Sequence, residues 1–192
     1  MDSKDRQHLL VELGQYQSEY ADELAFRDRF TALIQNYENA FERSLLKGHV
    51  TGSAWIVNPE KTHAFLTHHA KLNKWLQPGG HADGDEDVAR VAMKEAEEET
   101  GMEGLRFHST HIFDLDIHPI PERKGIPAHE HFDIRYLILA DMDQRFVISE
   151  ESHDLAWILL EDIAEYTGHN NSILRMVEKT NLFKGKMSSR TY

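Results

Sequence analysis

Glu95, Glu98 and Glu99 stand three and four residues apart in the run KEAEEETG. On an α-helix, positions separated by three or four share a face, so these three carboxylates converge on one side. Val88, Val91, Ala92 and Ala96 fall mostly on the opposite side, where they can pack on a sheet, while Glu97 points away from the cluster. Like charges on one exposed helix face cost about 0.2–0.5 kcal/mol per pair. The segment is therefore either a well-solvated acidic face or a site neutralised by hard divalent cations. Such ions prefer oxygen ligands, and Mg²⁺ typically shares one or two carboxylates with substrate phosphates.

The residues upstream sharpen that choice. Gly80 is followed after five residues by Glu86, and Glu86 after seven by the KEAEEETG run. This spacing over residues 80–102 resembles the Nudix box, in which a glycine, five residues, a glutamate and seven residues precede R-E-U-x-E-E-x-G-U, with U a bulky apolar residue. Gly80, Glu86, Glu95, Glu98, Glu99 and Gly101 all fall in register. Met102 fills the apolar end and the smaller Ala96 the first apolar position. One position departs from the pattern: Lys94 stands where the family has arginine. Lysine keeps the charge but lacks the planar fork with which that arginine would hold a catalytic glutamate.

The resemblance implies an α/β fold, a Nudix-type α/β/α sandwich with a mixed β-sheet. It places a hydrolase domain over residues 47–192, preceded by a helical extension over 1–46. It further implies a pyrophosphohydrolase in which water attacks one phosphorus of a diphosphate and Mg²⁺ or Mn²⁺ bridges enzyme and phosphates. Carried onto this chain, Glu98 and Glu99 are metal ligands, Glu95 is a further ligand or the base, and the Gly80 carbonyl completes the shell. Which carboxylate deprotonates water varies among members and stays open. Lys94 joins the catalytic group in place of the arginine, and Glu86 braces the loop against the helix. The implied substrate is a nucleoside diphosphate linked to another moiety, with a nucleoside diphosphate sugar or ADP-ribose preferred. The alternative is a catalytically weak Nudix domain that binds a nucleotide and regulates a partner.

Composition bounds the answer independently. A formal net charge of −12 argues against binding to a nucleic acid polymer or an anionic membrane. An anionic substrate would then need local cations. Cysteine is absent, which removes disulfides, thiolate metal sites and cysteine nucleophiles together. The charged start MDSKDRQHLL lacks a signal-peptide core, and no apolar run approaches a membrane span. The expectation is a cytoplasmic protein.

Helical periodicity carries Leu9, Leu10, Leu13, Tyr16 and Tyr20, and then Phe30, Leu33, Ile34, Tyr37, Phe41 and Leu45, predicting two helices with a break near Ala21–Asp22. HVTGSAWIVNP and THAFLTH read as strands joined by a turn at Asn58–Pro59–Glu60, and KWLQPGG as a short extended piece. A helix is expected over 85–100, followed by one strand over LRFHSTHIFDLDIHPIP and another over HEHFDIRYLILAD. DLAWILLEDI runs from a strand into a helix start, and NSILRMVEKTNLF is a closing helix. Strands alternating with helices around one core predict a layered α/β domain. The extra helices also offer a surface for a homodimer.

In the strand HEHFDIRY, His129, His131, Asp133 and Arg135 project from one face and Phe132, Ile134 and Tyr136 from the other. The polar face reads as a substrate pocket wall, with Arg135 and the histidines binding phosphate or a sugar hydroxyl. A solvent-facing sheet side is the plain alternative. A third reading is a Zn²⁺ site on the His-x-His pair, with His118 or Asp133 added. Lys71, Lys74 and Arg123 are candidate phosphate partners. Glu151 is the candidate acid downstream of the box. Trp157 reads as core rather than as a base-stacking platform.

Overall fold

The computed structural model describes residues 3–123, 125–148 and 152–188. Thirteen elements follow in chain order: α1 (Lys4–Gln15), α2 (Ala21–Asn36), β1 (Gly48–Val57), β2 (His63–His69), β3 (Lys74–Leu76), β4 (Gly79–His81), α3 (Val88–Thr100), β5 (Arg106–Phe107), β6 (Asp114–Ile120), β7 (His129–Leu139), β8 (Ser152–Leu159), α4 (Ile163–Tyr166) and α5 (Asn171–Ser188). The chain forms two compact units, Met1–Ser53 with Gly79–Glu95 and Ser109–Tyr136, and Ala54–Pro78 with Ala96–His108 and Leu137–Tyr192. The elements β1, α3 and β7 contribute residues to both. No helix among the described residues is long and apolar enough to cross a membrane.

In the first unit, Ser3 caps α1 by accepting from the Arg6 amide at 3.1 Å. Leu9, Leu13, Phe30, Leu33 and Ile34 form the buried stripe of α1 and α2. Glu23 of α2 is fully buried and satisfied, accepting from the Tyr16 hydroxyl at 2.6 Å, from the Leu115 amide at 3.0 Å and from the Ser18 hydroxyl. A buried carboxylate survives only with such partners, so α2 is registered against the start of β6. Strand β1 pairs antiparallel with β4 through Thr51–His81, Gly52–Gly80 and Ser53–Gly79. A Cβ at Gly52 would lie 3.0 Å from Val88 Cγ1 and 3.2 Å from the Ala92 nitrogen, so glycine lets α3 press directly on β1. Strands β6 and β7 form a continuous antiparallel ladder from Asp114–Arg135 to Ile120–His129.

In the second unit, β2 pairs antiparallel with β1, β3 and β8. Phe65 meets Trp157 edge-on at 5.2 Å, and the Trp55 indole donates to Thr180 Oγ1 of α5 at 2.9 Å. The Asn58 side chain accepts from the amides of Thr62 and His63 at 2.8 and 2.9 Å, closing the expected β1–β2 turn.

Three expectations are corrected. The second helix was expected to run through Leu45 but ends at Asn36, because Tyr37 takes an extended conformation with φ −131° and ψ 117°. Residues 37–48 continue as i→i+3 turns in which Ala40 and Phe41 are still buried, so the apolar period there reports burial rather than helix. The break between the helices falls over 16–20, before Ala21. The single strand expected over 105–121 is two strands, since β5 and β6 both pair with β7 and residues 108–113 bulge out opposite Tyr136 and Leu137.

Candidate active site

The acidic helix is α3. Val88, Val91, Ala92 and Ala96 are buried along it, Glu95 and Glu99 are half-buried, and Lys94, Glu97 and Glu98 are exposed. Hydrophobic spacing thus turns the three glutamates outward as the sequence predicts. Gly80 supplies the tertiary part. A Cβ placed there would meet Cδ and Oε2 of Glu95 at 2.5 Å and Oε1 at 2.7 Å. The Glu95 carboxylate therefore lies in the space that the missing side chain leaves. Glu98 and Glu99 follow on the next turn of the same helix.

Arg6, Arg43 and Arg90 fasten the loop entering α3 through ion pairs. Arg43 grips Asp83 through two bonds of 2.6 Å and holds that carboxyl below the usual carboxylate range. Arg90 does the same to Asp85 at 2.9 and 2.5 Å. Glu86 accepts from Arg6 Nε at 2.7 Å and from the Ser3 hydroxyl. Arg6 is itself buried, donating to the carbonyls of Glu38 at 2.5 Å and Tyr37 at 3.4 Å, with its guanidinium 5.2 Å from the Phe41 ring centroid. Glu86 thus joins the box loop to α1. Nothing local in the sequence pointed to Arg6 as its partner.

The polar face of β7 divides in two. Asp133 and Arg135, expected to line a substrate pocket, are instead buried at 2% and 3% exposure. Arg135 donates from Nε to Asp133 at 2.8 Å and from its two terminal nitrogens to Asp114 and Asp116, each at 3.1 Å. Burial works against its charge, but Asp133, Asp116 and Asp114 overcome that and raise its pKa. Thr51 and Ser53 also donate to Asp133, at 3.0 and 2.7 Å. A guanidinium held on three sides by carboxylates is a structural cation, which is the physical reason it does not face a substrate.

His129 and His131 lie at the other end of that face, joined by His49 and His81 from other strands. His49 on β1 has its ring centroid 5.1 Å from each of them, and His81 on β4 lies 4.8 Å from His131. Potential ligand atoms of His49, His129 and His131 fall within 4.8 Å of one another. Burial pushes His131 down to about 2 and His81 down to about 4, so both rings are neutral at pH 7. The His-x-His spacing of His129 and His131 marks one side of this cluster in the sequence, whereas only the count of 13 histidines hints at His49 and His81.

Lys71, Lys74 and Arg123 lie exposed on the surface. Trp157 is half-buried, with its ring edge-on to the buried Phe65 at 5.2 Å, so it borders the core rather than lying within it. Glu151 lies outside the described residues.

A NUDIX domain family model matches residues 48–179. A relative from Lactococcus lactis subsp. cremoris (strain MG1363), named "Probable DHNTP pyrophosphohydrolase", is 28% identical over 114 residues, 58% of this chain and 63% of its own length. The match thus spans less than two thirds of that relative. Among solved structures, a C. elegans Ap4A hydrolase superposes with a TM-score of 0.57 at 19% identity, covering 71% of this chain and 98% of its own. A UDP-X diphosphatase superposes with a TM-score of 0.51 at 14% identity, covering 93% of each chain and so reaching beyond residues 48–179. At these identities the likeness is one of fold, a mixed sheet with helices as the box implied. With the family model matching more than half of its length and the box glutamates presented on α3, this chain belongs to the Nudix family.

Proposed function

We propose that this protein is a Mg²⁺- or Mn²⁺-dependent pyrophosphohydrolase that cleaves a diphosphate linkage in a small nucleotide derivative. The observation that carries the reading is the Glu95 carboxylate seated against Gly80, with Glu98 and Glu99 on the next turn of α3. The donor set fits a hard dication, being carboxylates with no thiolate. A cation bound there lowers the pKa of coordinated water and offsets charge on the phosphoryl oxygens.

The chain's own residues do the rest. Glu98 and Glu99 would hold the cation, and Glu95 would either join them or take the proton of the attacking water. Gly80 leaves room for that carboxylate and offers its carbonyl. Lys94 keeps a positive charge next to Glu95 in the chain, though without an arginine's two-pronged bond. The ion pairs of the 81–87 loop hold the entry to α3, so Gly80 keeps its place relative to Glu95. With a net charge of −12, the protein offers an anionic substrate no long-range attraction, so a cation held by the glutamates would favour its binding.

The substrate class that follows is a nucleoside diphosphate linked to another moiety, with a nucleoside diphosphate sugar or ADP-ribose preferred. The name of the Lactococcus relative supports pyrophosphohydrolysis as the reaction type. Lys94 favours one second reading, a domain that binds a nucleotide without turning it over.

Phosphate-coupled hydrolysis of a nucleotide panel with Mg²⁺ or Mn²⁺ tests both. Turnover is expected in the wild type and falls by about 100-fold or more in Glu98→Gln and in Glu99→Gln. Turnover that survives both substitutions overturns the assignment. Metal-dependent nucleotide binding with no turnover on any compound establishes the second reading.

A further inference from the structure

We infer that His49, His129 and His131 form a binding site for one transition-metal dication of the Zn²⁺ class, distinct from the carboxylates of α3. Their ligand atoms already lie within 4.8 Å of one another. A tetrahedral ion with Zn–N bonds of about 2.0–2.1 Å holds its nitrogens about 3.4 Å apart. Small side-chain rotations close that difference. The three residues come from two strands of the first unit, β1 and β7, and on β7 the i, i+2 spacing puts both rings on one face.

A second observation points to a ligand. Nε2 of His49 and Nε2 of His131 are buried without a hydrogen-bond partner. Buried polar nitrogens are normally satisfied, and one left bare marks something missing from its surroundings. The opposite nitrogens explain how the rings are set. His49 Nδ1 faces the Leu45 carbonyl at 3.4 Å, and His129 Nδ1 faces the Pro127 carbonyl at 2.8 Å. A carbonyl oxygen can only accept, so the proton sits on Nδ1 and the Nε2 lone pair is left for a metal. Metal-bound histidines characteristically anchor their other nitrogen in this way.

The donor type selects the ion. Three imidazoles suit Zn²⁺, Ni²⁺, Cu²⁺ or Fe²⁺, whereas Mg²⁺ and Ca²⁺ require oxygen. His81 and His118 pack against His131 at ring-centroid distances of 4.8 and 5.5 Å and wall the site. Three protein ligands leave a fourth position for water or a substrate group. His81 directly follows Gly80, so the proposed ion sits beside the strand that carries the box glycine.

Co²⁺ is the probe, because its visible spectrum reports tetrahedral nitrogen coordination. Tag-free, chelator-stripped protein is titrated with Co²⁺ and then with Zn²⁺. One saturating equivalent with a visible band that Zn²⁺ displaces is expected. His129→Ala, at a half-buried position, is expected to keep its circular dichroism and to bind at least about 10-fold more weakly. His131→Ala is expected to lose the band. Glu98→Gln and Glu99→Gln are expected to keep it, whatever they do to hydrolysis. A wild type without a saturable band overturns the inference even if a variant fails to fold. So does a band unchanged in folded His129→Ala and His131→Ala, or one lost in Glu98→Gln.

Discussion

Gly80 and Arg135 show how a single side chain, absent or present, sets what its surroundings can do. In Gly80→Ala the new methyl meets the mobile end of Glu95 rather than backbone, so the carboxylate swings aside at little cost to the fold. Stability to urea is expected to change by less than about 1 kcal/mol. Turnover is expected to fall on the order of 100-fold, because a displaced catalytic group loses its alignment. Urea midpoints and steady-state rates measured on the same preparation check the split, and a loss confined to stability refutes it. Arg135 predicts the reverse. Arg135→Met leaves Asp114, Asp116 and Asp133 buried without their cation. Breaking a buried ion pair from one side costs about 3–5 kcal/mol. Equilibrium unfolding at pH 7 is expected to show that loss, and an unchanged midpoint contradicts the structural role of Arg135.

Helix α1 is held by an ion pair that ends in the box loop. Arg6 bonds Glu86 and two carbonyls from a buried position, so Arg6→Ala takes the cation from Glu86 and the guanidinium donors from the Tyr37 and Glu38 carbonyls, the first of which keeps the Ala40 amide. Hydrogen bonds to charged groups contribute about 1.5–3 kcal/mol each to stability. A destabilisation of about that size is expected, with faster amide hydrogen exchange along α1 and around Glu86. Exchange that rises in α1 alone would show that the helix does not support the loop. The ladder of β6 and β7 is equally exacting. A slip of one residue would send His129, His131, Asp133 and Arg135 to the opposite face, and the buried Asp114–Arg135 and Asp116–Arg135 pairs make that register costly to leave.

The two N-terminal helices supply much of the apolar interior of the first unit. Leu9, Leu13, Phe30, Leu33 and Ile34 are each at most 4% exposed. Burial of such side chains stabilises by about 1.5–3 kcal/mol apiece, and a typical domain has a margin of about 5–15 kcal/mol. A chain lacking residues 1–36 would lose these five side chains and the satisfied Glu23 together. It is expected to show no cooperative thermal transition by circular dichroism. A truncated chain that melts like the full protein would make α1 and α2 a true appendage.

How far the sequence reached depended on the distance over which each interaction acts. The box was legible because its glycines and glutamates are close neighbours along the chain, and helical geometry alone converts their spacing into a shared face. The same locality made the strand alternation in HEHFDIRY readable. Alternation tells which residues share a face, but not whether that face is open or covered. Only the pairing of β6 with β7 places Asp114 and Asp116 around Arg135 and turns an expected pocket wall into a buried ion cluster. His49 and His81 become neighbours of His131 through strands brought together by the fold, and Arg6 meets Glu86 for the same reason. Local periodicity determined the carboxylate helix and the class of chemistry. Long-range strand pairing and the burial it brings decided which polar residues became structure and which nitrogens were left free to bind an ion.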